Sequence, residues 1–186
     1  MTAEPATPAK LEKATFAAGC FWGVESACRA LPGVVSAKVG YTGGRTERPT
    51  YEDVCTDETG HAEAVEVLFD PARIRYEELL ESFWELHDPT TPDRQGPDEG
   101  TQYRSAIFVH DDVQRRAAEQ SKEMAQRHFA DPIVTQIVPA AKFWDAEDYH
   151  QRYYEKRGKL IGGCHILPSR ARGDIKGPRA PPIRLA

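Results

Sequence analysis

Residues 14–23, ATFAAGCFWG, decide how the chain is read. An apolar run, Ala14 to Ala18, leads into Gly19 and Cys20, and its Thr15–Ala18 part predicts a short strand. Trp22 to Leu31 then has helical periodicity, with Val24, Ala27, Cys28 and Leu31 on one face. Pro32-Gly33 stops it. Cys20 therefore stands at a strand-to-helix junction. A thiol there lies beside unpaired N–H groups and the positive end of the helix dipole. That setting favours thiolate over thiol.

Outward from this junction, strands and helices alternate irregularly. Val34 to Tyr41 predicts a strand with Val35, Ala37, Val39 and Tyr41 on one side. Thr42 to Thr50 reads as a Gly/Pro loop. Ala62 to Phe69 carries the clearest alternation, with Glu63, Val65, Val67 and Phe69 on one face. Tyr76 to His87 predicts a helix that turns Leu79, Leu80, Phe83 and Trp84 inward. Asp88 to Gly100 is a loop long enough to suggest a function. A strand over Tyr103 to Val109 follows, then a helix over Asp111 to Phe129 with Val113, Ala117 and Met124 among its apolar positions. Ile133 to Val138 predicts a strand. Asp145 to Arg157 predicts a helix with Asp145 and Asp148 as a capping pair. This order implies an α+β sandwich, with helices packed on a mixed sheet.

The 186 residues suit one domain. Residues 1–13 are expected to form a flexible arm and 14–168 a single domain. Residues 169–186 hold Pro178, Pro181, Pro182 and five basic residues against one acidic, so they predict a disordered tail. Hydrophobic residues make up 40% of the chain and charged ones 28%, an ordinary globular profile. The formal net charge of −5 argues against nucleic acid as a partner. No apolar run has the roughly 18 residues that a membrane helix needs. The first ten residues lack the apolar core of a secretory signal. A cytoplasmic location with four reduced cysteines is expected.

Phe21 and Trp22 adjoin Cys20 and are either core residues or walls of an apolar pocket suited to a methyl or thioether group. Glu63 shares a strand face with three apolar residues. If buried there, it has a raised pKa and can act as a general acid. If it sits at the strand end, it simply reaches water. Tyr41, Tyr51 and Tyr103 could each offer a hydroxyl to a substrate oxygen. Asp98 lies in the long loop, where a turn role is the simplest reading. Cys164 follows Gly162-Gly163 and could reach another thiol to form a disulfide. Cys28 and Cys55 read as structural. No C-x-x-C pair points to a metal site.

The motifs GCFWG (19–23), GYTGG (40–44), PTYEDVCT (49–56), TGHAEAVEV (59–67), FDP (69–71), FWELHDPTT (83–91), RQGPDEGTQYRS (94–105) and AEDYHQRY (146–153) occur in this order. With them the chain resembles the type A peptide methionine sulfoxide reductases, the MsrA family, from about Thr15 to about Cys164. The resemblance implies a two-layer sandwich with a ferredoxin-like core, and repair of methionine-S-sulfoxide, free or in peptides and proteins. It implies Cys20 as nucleophile, Glu63 as acid, and Tyr51 and Tyr103 as holders of the sulfoxide oxygen. Phe21 and Trp22 would form the methyl pocket and Asp98 would bind substrate. No cofactor or metal is implied. Thioredoxin is the implied reductant, with Cys164 as the expected resolving thiol and direct reduction of the sulfenic acid by an external thiol as the alternative, and no feature demands more than a monomer. One position departs: Arg48 precedes Pro49 where family members often carry Asn. Two other readings stay open on the residues alone. One is a cysteine hydrolase or acyltransferase using Cys20 with His61 as base; the other is a redox-sensing or binding module without turnover.

Overall fold

The computed structural model describes residues 10–158. Its element order is β1 (Glu12–Ala18), α1 (Phe21–Arg29), β2 (Val34–Thr42), α2 (Tyr51–Cys55), β3 (Ala62–Phe69) and α3 (Tyr76–Leu86). Then come β4 (Arg94–Gln95), β5 (Asp98–Glu99), a 3-10 turn (Thr101–Tyr103), β6 (Ser105–Val109) and α4 (Asp112–Gln126). β7 (Gln136–Pro139), β8 (Trp144–Asp145) and α5 (Tyr153–Lys156) complete the described chain. The arm's first nine residues, the end of the expected domain and the basic tail lie outside the described residues.

Six strands form one sheet in the order β7-β6-β1-β3-β2-β8. β3 runs antiparallel between β1 and β2, so β1 and β2 are parallel to each other with α1 crossing between them. β6 is antiparallel to β1, hence parallel to β3, with α3 in that connection. Two interleaved β-α-β units of this kind make the ferredoxin-like core. β7 extends it in parallel on β6, and β8 extends the other edge on β2.

Strand alternation sorts the side chains. Ala14, Phe16 and Ala18 of β1, Val65, Val67 and Phe69 of β3, and Ile107 and Val109 of β6 face the main core under the helices. Ala17, Ala62, Ala64, Ala106 and Phe108 form a smaller cluster against Val138, Ala140 and Phe143. Burying one large apolar side chain such as Phe16 or Phe83 contributes about 1.5–3 kcal/mol.

Four sequence expectations need correction. β1 starts at Glu12, inside the expected arm, because Glu12 and Lys13 pair with Phe69 and Leu68 of β3. Val35 is 55% exposed, since a bulge sets Val34 and Ser36 against consecutive β3 residues and leaves Val35 over. On α4, Val113 and Met124 face outward, while Ala118, Ala125 and Gln114 are buried. Gln114 tolerates this because its side chain donates to the Lys13 carbonyl at 2.7 Å and accepts from His110 N–H at 3.0 Å.

The helix expected over 145–157 shrinks to α5. The Gln151 side chain pairs with Val39 N–H (3.0 Å) and the Val39 carbonyl (2.9 Å) in place of another strand. Asp145 sits in β8 and pairs with Lys38 at 2.6 Å, so it caps nothing. Arg152 adopts φ +54, which a helix interior does not allow. Elsewhere the differences are shorter ranges: β6 begins at Ser105 and β7 at Gln136, and the 88–100 loop holds the small β4–β5 hairpin.

Candidate active site

The antiparallel pairings bring the C-terminal ends of β1 and β2 to the same end of the sheet as the N-terminal ends of β3 and β6. Cys20 follows β1 and is the N-cap residue of α1. It is half-buried. Gly19 before it has φ +86, and a Cβ there would stand 2.6 Å from Gln95 Cγ. Gln95 cannot yield freely, because its amide holds Asp88 N–H (3.2 Å) and the Asp88 carbonyl (3.1 Å). Gly19→Ala is therefore expected to cost about 2–3 kcal/mol, from left-handed backbone strain plus displacement of Gln95. A shift of the urea midpoint at constant m measures it; a loss under about 0.5 kcal/mol contradicts the close approach.

α1 has no acidic residue in its first turn. Its first N–H, that of Phe21, is instead taken by Glu63 Oε2 at 3.0 Å. Glu63 is 2% exposed, on the core side of β3. Burial pushes its carboxyl up to about 8, and the charge of Asp98 adds to this, while the Phe21 N–H pulls the other way. The acid is thus largely protonated at neutral pH. Oε2 accepts from Phe21, so the proton belongs on Oε1.

Tyr51 opens α2, placed by a capping box in which Thr50 and Asp53 bond reciprocally. Arg48, just upstream, holds φ +49, a left-handed conformation that Asn adopts more readily. Burial pushes the Tyr51 phenol up, as do Cys55 and the charges at Glu63 and Cys20. Tyr103 lies in the 3-10 turn, and its phenol is likewise raised by burial, then by Glu63, Tyr51 and Asp98. Asp98 comes from β5. The Tyr103 turn is pinned to the 57–60 loop: Thr101 N–H donates to Asp57 at 2.8 Å, and Arg104 donates to the Gly60 carbonyl at 3.0 Å.

Phe21 is buried, with its ring centroid 5.8 Å from that of Tyr41. Trp22 is half-buried and stacks on Tyr153 at 3.7 Å and 3°. Its indole N–H donates to His150 Nδ1 at 3.0 Å. Cys20, Phe21, Trp22, Tyr51, Glu63, Asp98 and Tyr103 thus gather at one end of the sheet. Tyr41 is fully buried and donates to Glu147 at 2.9 Å, so its hydroxyl is committed to that carboxylate. Cys164 lies outside the described residues. Cys55, expected to be structural, is exposed at the end of α2, while Cys28 is buried and burial pushes its thiol up to about 12. His150, Tyr153 and Glu147 were not singled out from sequence; their one signal was their place in AEDYHQRY.

His61 does not suit the role of a base. Its Nδ1 accepts from Gly44 N–H at 3.0 Å, so Nε2 carries the proton and donates to the Thr46 carbonyl at 2.7 Å. Both nitrogens hold the 44–46 loop, which removes the support for a cysteine hydrolase. Among the described residues no group of three or more His, Cys, Asp or Glu could hold a metal ion. No described helix is long and apolar enough to cross a membrane.

A thiol at a helix start, beside a buried neutral carboxylic acid and two phenols, suits thiol-dependent reduction of a substrate whose oxygen must be protonated. The comparisons with known proteins give the same class. The sequence profile of the family described as peptide methionine sulfoxide reductase matches residues 12–177. The MsrA of Methanosarcina mazei is 61% identical over 152 residues, covering 81% of this chain and 72% of that protein. Reduced Mxr1 of Saccharomyces cerevisiae aligns with a TM-score of 0.77 and 40% identity, over 82% of this chain and 88% of that one. Mxr1 in complex with Trx2 aligns with a TM-score of 0.57 and 33% identity, over 81% and 89%. The chain belongs to the peptide methionine sulfoxide reductase family, type A, and is an oxidoreductase that reduces methionine sulfoxide by thiol chemistry.

Proposed function

We propose that Cys20 is the nucleophile and Glu63 the general acid in reduction of methionine-S-sulfoxide, free or in peptides and proteins. The observation that carries this reading is the hydrogen bond from Phe21 N–H to Glu63, which ties the buried acid to the residue after the thiol. The Cys20 thiolate attacks the sulfoxide sulfur. Glu63 Oε1 delivers its proton to the oxygen, which is a poor leaving group until protonated. The oxygen passes to Cys20 with that proton, so Cys20 becomes a sulfenic acid and methionine is released, reduced by two electrons. Tyr51 and Tyr103 keep their protons, because burial raises both phenols, and they donate hydrogen bonds to the oxygen. Phe21 and Trp22 wall the methyl group, and Asp98 binds the substrate from the β4–β5 hairpin.

Cys164 then condenses with the sulfenic acid, a disulfide forms and water leaves. A dithiol of the thioredoxin class reduces that disulfide; the Trx2 complex of the related Mxr1 supports this partner. A reducing, cytoplasmic setting fits, since the cycle starts from a thiol at Cys20. The test offers each resolved epimer of a methionine sulfoxide peptide, with dithiothreitol or with a thioredoxin system, to the wild type and to Cys164→Ser. Wild type is expected to reduce the S epimer alone. Cys164→Ser is expected to complete one turnover and to lose thioredoxin-driven cycling. Reduction of neither epimer overturns the reading, and full cycling in Cys164→Ser overturns the resolving role.

A further inference from the structure

Glu147 has no part in the chemistry above, yet two donors from other elements bond it and a third ring nitrogen lies close by. The Tyr51 backbone N–H, at the start of α2, donates to Oε1 at 2.8 Å. The Tyr41 hydroxyl donates to Oε2 at 2.9 Å. His150 Nε2 lies 3.9 Å from Oε2.

The His150 ring carries the contact further. An indole N–H can only donate, so the 3.0 Å bond from Trp22 requires Nδ1 to be unprotonated. The proton of the neutral ring is then on Nε2. His150 is 1% exposed, and Nε2 has no hydrogen-bond partner within ordinary reach. The nearby carboxylate oxygen gives that N–H an electrostatic reason to stay there. Burial keeps the ring neutral by lowering its pKa, which preserves Nδ1 as an acceptor. Burial raises the Glu147 pKa, but hydrogen bonds from Tyr51, its own N–H and Tyr41 outweigh this and hold the group below its ordinary value, as a carboxylate.

We propose that Glu147 is a positioning residue for sulfoxide reduction, fixing Tyr51 directly and the Trp22 ring through the tautomer of His150. One carboxylate then sets the spacing between the side of the site that holds oxygen and the side that holds methyl. The inference rests on the roles given above to Tyr51 and Trp22. Glutamine at 147 keeps one acceptor oxygen and turns an NH₂ toward either the Tyr51 N–H or the His150 N–H, so at least one of the two arms loosens.

The test combines kinetics with indole and imidazole NMR on the full chain. Glu147→Gln is expected to move the Trp22 indole 1H–15N peak and to leave those of Trp84 and Trp144 in place. It is expected to lower kcat/KM for a methionine-S-sulfoxide peptide about tenfold to a hundredfold, through both KM and kcat. The alkylation rate of Cys20, read at its own peptide by mass spectrometry, is expected to stay within twofold. An unmoved Trp22 peak, or kcat/KM within twofold of wild type, overturns the proposal. If the variant does not fold, long-range 1H–15N spectra of the wild type decide: a proton on His150 Nε2 supports the tautomer lock, and one on Nδ1 overturns it. A wild type that reduces neither epimer refutes the catalytic reading, while the two NMR readouts still judge the placement by Glu147.

Discussion

Cys20→Ser is expected to abolish sulfoxide reduction, lowering single-turnover rates by roughly 10⁴-fold or more, and to leave the fold in place. The loss is chemical. A serine hydroxyl stays protonated at neutral pH even at a helix start, and its oxygen cannot take up the sulfoxide oxygen as sulfur does. The fold is expected to survive because serine is close to cysteine in size and is a better residue at the N-cap position that Cys20 holds. Stability is therefore expected within about 1 kcal/mol of wild type, or slightly higher. The measurement is one turnover of a methionine-S-sulfoxide peptide, quenched and separated by chromatography, beside a urea curve. Appreciable turnover in a folded Cys20→Ser protein removes the thiol from the chemistry. Loss of both activity and fold makes Cys20 a packing residue instead.

What could be read from sequence follows the range of the interactions that shape each element. The 62–69 strand and the 76–86 helix are written in local periodicity, and their inward residues, Val65, Val67, Leu79, Leu80 and Phe83, are the buried ones. The same alternation put Glu63 among apolar neighbours, but its place near the strand end left burial and contact with water both open until the Phe21 bond was seen. Periodicity misled where small or polar side chains do the packing, as with Ala118, Ala125 and Gln114 on α4. It failed over 145–157, where Gln151 substitutes for a strand and the partners are distant in sequence. Nothing in periodicity chose Tyr51 over Tyr41. The resemblance to the MsrA family made that choice, and the structure gives a physical ground for it: Tyr41 is fully buried on Glu147, while the Tyr51 phenol shares its surroundings with Cys20 and Glu63. The Trp22–His150 bond spans the chain from α1 to the segment before α5, and no local pattern encodes it.

Glu63→Gln is expected to slow the reductive half-reaction by about 10²–10⁴-fold and to remove its alkaline limb. The amide is nearly isosteric. Its oxygen can still accept from Phe21 N–H, and its NH₂ can still donate toward the sulfoxide oxygen, so binding persists while proton delivery is lost. In the proposed mechanism the acid works while protonated, so the wild-type single-turnover rate should fall as pH rises through about 8. Stability moves with the same proton. The folded pKa of about 8 lies above the ordinary carboxyl value of 4.5, so between these the native state binds more protons than the unfolded state. Stability is then fully present below about 4.5, declines as pH rises, and levels off above about 8. The decline should amount to a few kcal/mol, on the order expected for a buried carboxylate. Glu63→Gln has no such proton to lose, so relative to its own value at pH 5 it should keep more stability at pH 9 than the wild type does. Denaturation curves at pH 5, 7 and 9 for both proteins, with single-turnover rates at the same pH values, check the two effects together. If Glu63→Gln keeps the alkaline limb, the titrating acid is another group. If the wild-type decline with pH is matched in the variant, burial of Glu63 is not what links activity to stability.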